Sequence, residues 1–211
     1  YSIHADQAPR YHLALITNPN AYFIFPTLNE ITHIPADGYV YAIDAVKGTE
    51  IWSFDTEDWV VTTPVIVDDK LVIGNRAGKI FVLDRKTGKK SLRYSAGKVS
   101  GSVVAGDGLV FIPTSCTHSV SGGCVGGIRA LDPNQREYPL EYFARFWRTH
   151  FFIWGIEDFP PVQKGYMWGT ALVGRSKAMF SPAFANGVVF AYGGDGRLHA
   201  MKSESRGHLA I

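Results

Sequence analysis

The stretch 37–52, DGYVYAIDAVKGTEIW, returns about forty residues later as 77–92, AGKIFVLDRKTGKKSL, with its final ring exchanged for an aliphatic side chain. Glycine stands second in each (Gly38, Gly78) and apolar residues alternate behind it. An aspartate closes the run (Asp44, Asp84), and another glycine follows it (Gly48, Gly88). Alternation with a period of two is the pattern of a strand, and a glycine on its leading edge admits the positive φ of a tight turn. Two more segments superimpose. VGGIRALD (125–132) keeps the aspartate as Asp132, whereas DGRLHAMK (195–202) keeps the turn glycine as Gly196 and replaces the aspartate with Lys202.

A hairpin pattern precedes each of these runs. TPVIVDDKLVIGN (63–75), GSVVAGDGLVFIP (101–113) and SPAFANGVVFAYG (181–193) each read as strand, short turn, strand, and HLALITNPNAYFIFP (12–26) is a looser copy with a longer turn. The tail KGTEIWSF (47–54) or its equivalent adds a fourth strand. Four antiparallel strands per unit, repeated about every forty residues, predict an all-β propeller of four-stranded blades. Four blades are expected, roughly 1–50, 51–92, 93–135 and 179–211, with 136–178 as an aromatic-rich insertion.

Within the tail, Gly48 and Gly88 supply the left-handed turn, and the ring of Trp52 is expected to pack flat between neighbouring blades. Leu92 fills that place in the second copy. Ala-x-Asp-x-x-x-Gly-x-x-x-Trp behind Asp-Gly-x-x-Tyr resembles the repeat of the PQQ-like β-propellers, the family named after the pyrroloquinoline quinone dehydrogenases. The likeness is close at 37–54, fair at 77–94 and partial at 125–134 and 195–207. It leaves out roughly 136–178. Such a repeat specifies a fold and leaves function open.

The register of the ends bears on blade number. Tyr1-Ser2-Ile3 aligns with Trp52-Ser53-Phe54, and Ile211 falls on the Trp position of the last copy. One arrangement is a ring of four blades closed by its N-terminal strand, which leaves no open edge. The other is about half of a larger propeller, and the resemblance favours it because related propellers have about seven or eight blades. The start at Tyr1 rather than Met suits a mature exported protein or a fragment.

Composition narrows the function classes. Apolar residues make up 46% and charged residues 19%, and the formal net charge is +2 with Lys and Arg scattered, so nothing forms the basic field that nucleic acid requires. No apolar run reaches bilayer length, so a membrane-spanning helix is not expected. Cys116 and Cys124 lie close together in SCTHSVSGGCVGG (115–127). A local disulfide is expected there, and with it an extracytoplasmic location, periplasmic or secreted. A zinc site is the weaker alternative, because Cys116, His118 and Cys124 make three ligands where a structural site takes four, and two inert free thiols are the other alternative.

The resemblance implies two functional readings. In the quinoprotein reading, PQQ sits in the central channel with Ca²⁺ held by carboxylate and amide oxygens, an Asp acts as base toward an alcohol, and an aromatic ring stacks on the cofactor. No residue set here can be assigned to that chemistry, and the catalytic and cofactor-binding residues stay unknown. Trp168 in GYMWGT (165–170) is the one ring nominated for stacking, and a core position is the commoner lot of such a ring. The second reading is a non-catalytic scaffold without cofactor, resembling the periplasmic lipoprotein of outer-membrane β-barrel assembly. Its partners would be other proteins or further blades of the same propeller. The insertion bears on this reading. EYFARFWRTHFF (141–152) has helical spacing, and Phe143, Phe146, Trp147, Phe151, Phe152 and Trp154 form either a cover for the propeller side or a partner-binding interface. Other catalytic templates are missing from the sequence: Ser181 precedes a proline without a nucleophile elbow, no His-x-x-x-His pair occurs, and the Gly-rich run at 193–196 reads as a hairpin turn.

Overall fold

The computed structural model describes residues 10–12, 22–25, 30–33, 38–44, 47–99, 101–118, 124–171, 180–193, 196–204 and 208–209. In chain order the first unit holds β1 (Arg10–His12), β2 (Tyr22–Phe25), β3 (Glu30–His33), β4 (Tyr39–Ile43) and β5 (Glu50–Asp55). The second holds β6 (Val65–Val67), β7 (Lys70–Gly74), β8 (Lys79–Asp84) and β9 (Lys90–Ser95). The third holds β10 (Val104–Gly106), β11 (Leu109–His118), β12 (Cys124–Leu131), then α1 (Glu141–Ile153) and β13 (Tyr166–Ala171). The fourth holds β14 (Ala183–Ala185), β15 (Val188–Tyr192), β16 (Leu198–Lys202) and β17 (His208–Leu209). The last three units are antiparallel meanders of four strands in chain order, β6-β7-β8-β9, β10-β11-β12-β13 and β14-β15-β16-β17. This is the blade predicted from the repeat.

The hairpins are closed by the residues that their turns demand. Asp107-Gly108 (φ 51° and 72°) and Asn186-Gly187 (φ 49° and 76°) connect their strands through two left-handed positions, the geometry whose twist matches that of the strands it joins.

The first unit departs from the expected order. β1 pairs with β4 (Arg10↔Ile43, His12↔Tyr41), β4 with β5, and β2 pairs with β3 as a separate hairpin. The reason lies in loop length. Residues 75–78 alone separate β7 from β8, whereas 26–38 separate β2 from β4. The longer connection contains a strand of its own, β3, which pairs locally with β2, and four residues leave no room for one. The ends 1–3 and 211, on which the closed four-blade ring was predicated, lie outside the described residues.

The core lies between sheets. One cluster joins the first and second sheets (Val40, Ala42, Trp52, Leu71, Ile73, Phe81, Leu83), a second joins the second and third (Val72, Ile80, Val82, Leu92, Val110, Ile112, Leu131), and a third joins the third and fourth (Phe111, Ile128, Ala130, Trp168, Val189, Met201). Alternation on β8 explains the partition: Phe81 and Leu83 face one neighbour, Ile80 and Val82 the other, and all four are fully buried. Burial of each such side chain is worth about 1.5–3 kcal/mol, so every middle sheet is held from both faces.

The third sheet solves the non-repeating segment. Trp52 pairs with Ala42, Leu92 with Val82 and Trp168 with Ala130, and each pair is followed by the same one-residue register shift. β13, assigned from sequence to the insertion, is therefore the outer strand of the third sheet, and Trp168 is its repeat tryptophan. Residues 133–164 occupy the place that 85–88 fill in the second unit.

Candidate interaction surface

The repeat residues build the joints between sheets. Asp84 Oδ1 accepts from Lys86 N (3.1 Å), Thr87 N (2.9 Å) and Thr87 Oγ1 (2.9 Å), and these bonds, the Thr87 hydroxyl first, hold its carboxyl below the usual carboxylate range. Asp44 accepts from Lys47 N (3.0 Å) and Asp132 from Asn134 N (2.9 Å) and Gln135 Nε2 (2.9 Å), so each repeat aspartate folds the turn that follows it. That turn receives the ring of the preceding sheet. A Cβ on Gly88 (φ +68°) would stand 2.7 Å from Trp52 Cδ2, and the indole donates to Arg85 O at 3.1 Å. The next joint but one repeats this bond, with Trp168 Nε1 donating to Ser203 O at 2.9 Å. Between them Leu92 makes only apolar contact, against Gly165. Gly78 serves a second close approach: a side chain there would meet Gly97 O, whose strand end is tied back by Ala96 N to Gly78 O (2.9 Å). Gly38, Gly48 and Gly196 occupy the equivalent left-handed turns.

Trp168 is 4% exposed, its ring lies against Phe111 and its N–H is bonded, so it presents no open face on which a cofactor could stack. Among the described residues no three His, Cys, Asp or Glu side chains come together as a metal-ligand set. Cys116 and Cys124 fall on the paired strands β11 and β12, with Cys124 opposite His118. Their side chains lie outside the described residues.

What the structure does present is the helix. α1 starts after Pro139, with Tyr138 N donating to Glu141 Oε2 (3.3 Å), and stops where Gly155 (φ 72°) turns the chain. Between them EYFARFWRTHFFI contains no glycine or proline, which is why it stays helical. Both legs of the insertion are tied to β9: Glu137 N donates to Ser91 O (3.0 Å), and Gln163 exchanges two bonds with the Ser95 backbone (2.9 and 3.0 Å). Those bonds cover part of an otherwise open sheet edge.

The helix has its faces the wrong way round for a core element. None of its residues is buried. Glu141 and Arg145 are half-buried and, with Lys79 and Arg93, line a cavity of about 300 Å³ under the helix. The rings Phe143 (59% exposed), Phe146 (45%), Trp147 (51%) and Trp154 (59%) stand in solvent. Phe152 joins them, and Phe151 is half-buried. The rings are ordered among themselves: Phe146 lies 4.3 Å from His150 between centroids, whose Nδ1 is bonded to Phe146 O (2.8 Å), and Trp147 stacks toward Phe151 at 6.4 Å. Arg148 pairs with Glu157 at 3.1 Å, fixing the helix end. Sequence reasoning named these rings as an interface and used Tyr142 only for its helical spacing; it missed Ile153, Ile156 and Phe159, which are exposed like Tyr142. Ile153 stands seven residues after Phe146 on α1, a helical spacing that was available to be read, whereas Ile156 and Phe159 lie beyond the helix end. No described helix is long and apolar enough to cross a membrane.

Comparison with known proteins bears on the fold. Residues 36–136 match the family model described as outer membrane protein assembly factor BamB, a PQQ-like repeat. No curated protein sequence matches. Among solved structures the chain is similar to BamB from Moraxella catarrhalis, at 17% identity and a TM-score of 0.51 over 82% of this chain and 42% of that one. It is also similar to the quinohemoprotein alcohol dehydrogenase ADHIIG from Pseudomonas putida HK5, at 14% identity and a TM-score of 0.56 over 83% of this chain and 31% of that one. Sqt1 from Saccharomyces cerevisiae gives 11% identity and a TM-score of 0.55, over 83% and 42% of the two chains. The chain thus spans less than half the length of these structures. The four-stranded blades and the similar solved structures give this chain a partial β-propeller fold, and residues 36–136 are similar to the PQQ-like repeat of the matching family model.

Proposed function

We propose that the chain is a non-catalytic propeller that binds another protein through α1. The observation that carries the reading is the orientation of this helix, whose polar Glu141–Arg145 edge faces the sheets while its aromatic face meets water. An exposed contiguous aromatic face on a rigidly tethered helix suits the helix-in-groove mode of recognition, and Arg145 and Arg148 at its border favour a partner whose apolar groove has an acidic rim. The family description, an outer membrane assembly factor, supports a scaffold role and an extracytoplasmic location for this chain. A photo-crosslinking residue at Trp147 in cells, followed by binding assays with the purified captured protein, tests it. The expected result is a discrete adduct whose affinity falls at least about tenfold in Phe146→Ala and Phe143→Ala proteins that still melt normally. An adduct whose affinity is indifferent to those rings would overturn the reading.

The runner-up, part of a pyrroloquinoline quinone dependent alcohol dehydrogenase, rests on fold likeness to ADHIIG. Alcohol-dependent dye reduction on addition of quinone and Ca²⁺ would establish it in place of the scaffold.

A further inference from the structure

The joint between the second and third sheets breaks the repeat at one place. At the first joint Phe54 on β5 meets Phe81 on β8 edge to face, 5.3 Å between centroids. The equivalent positions one unit later, by the strand registers, are Tyr94 on β9 and Arg129 on β12. An apolar ring pair has become a phenol and a guanidinium that line the same cavity.

Around that pair the sheets do not close. A cavity of about 410 Å³ opens there, lined by Tyr94, Arg129, Tyr166, Thr114 and Gln163, within the size range of small-molecule sites. Gly126, Gly127 and Gly169 form a wall without side chains. A Cβ on Gly169 would stand 3.1 Å from Tyr166 Oη and 3.6 Å from Arg129 Cγ, so the absence of a side chain there helps keep the space open. Pro161 and Val162, from the returning leg of the insertion, supply an apolar lip.

We propose that this cavity binds a small organic carboxylate, its anionic group on the Arg129 guanidinium and the Tyr94 phenol and its apolar body against Pro161 and Val162. Among the described residues no carboxylate forms an ion pair with the Arg129 fork of donors. Guanidinium binds a carboxylate through two parallel hydrogen bonds, and the flat glycine wall suits a planar group better than a tetrahedral one. Burial pushes the Tyr94 hydroxyl above its ordinary range, against the lowering effect of Arg129.

Calorimetric titration of the whole chain with benzoate, benzamide and inorganic phosphate tests this. Benzoate is expected to bind, with benzamide and phosphate at least about tenfold weaker, and Arg129→Gln should lose about tenfold or more for benzoate at unchanged melting temperature. If Arg129→Gln fails to fold, Tyr94→Phe, which keeps the ring, should show the loss instead. No benzoate binding, equal binding of benzamide or phosphate, or unchanged benzoate affinity in the folded variants overturns the proposal.

Discussion

At the scale of residues, the joint between sheets is a ring laid on a glycine. Trp52→Ala removes a buried indole and leaves a cavity at the first joint, so a loss of about 3–5 kcal/mol is expected by denaturant unfolding. A loss below about 1 kcal/mol would show that the ring does not carry the joint. Trp52→Phe keeps most of the apolar contact and forfeits the bond to Arg85 O, a loss of about 1 kcal/mol beyond the change in packing. Gly88→Ala strikes from the other side. It forces an L residue into φ +68° and sets a methyl 2.7 Å from the indole, so it should destabilise by more than about 1 kcal/mol, and Gly88→Ala in a Trp52→Leu background should cost less than it does alone. A double-mutant cycle that returned simple additivity would disprove the contact.

At the scale of elements, α1 is attached to the fold without being part of its core. Its ring substitutions Phe143→Ser and Trp147→Ser remove half-exposed rings that touch other rings of the helix, so stability should change by no more than about 1 kcal/mol, while partner binding is lost. Replacing 133–164 with the four residues of 85–88 should leave a folded protein, because β12 and β13 are paired directly across the excursion and the second sheet makes the same turn without it. Thermal melting of that variant checks the point: a single cooperative transition is expected, and an unfolded product would mean that the tethers to Ser91 and Ser95 hold the outer edge together.

At the scale of the molecule, successive sheets share cores pairwise, and a charged cluster ties two of them at the rim. Glu57, beyond the first sheet's outer strand, takes Lys79 at 2.7 Å and Arg93 at 3.0 Å from the second. The Lys79 hydrogen bond, with the charges of Arg93 and Lys79 behind it, holds the Glu57 carboxyl below its ordinary 4.5. A carboxylate with a depressed folded pKa binds fewer protons folded than unfolded, so its contribution is complete above pH 4.5 and fades as pH falls through the lower folded value. The melting temperature of the parent should accordingly drop more steeply than that of Glu57→Gln below pH 4.5, and the two should keep a constant offset from pH 6 to 8. Equal slopes below pH 4.5 would show that the pairs are screened at this exposed site.

Local chemistry made the blade legible. Period-two alternation, Asp107-Gly108 and Asn186-Gly187 turns, and the Asp–Gly–Trp tail each act over a few residues, so the strands, the turn-forming role of Asp44, Asp84 and Asp132, and the place of Trp52 between sheets could be read from the sequence alone. The aromatic helix was legible too, by its spacing. Tertiary structure decided what depends on contacts distant in the chain. Trp168 became a joint residue only because β13 returns to β12 across 133–164, an excursion that sequence alignment reads as the end of the repeat. The first unit's strand order was settled by competition among pairings along a long connection. The outward face of α1 and the Tyr94–Arg129 cavity likewise exist only once the sheets are side by side, because a pattern shows which residues share a face and packing alone determines what that face meets.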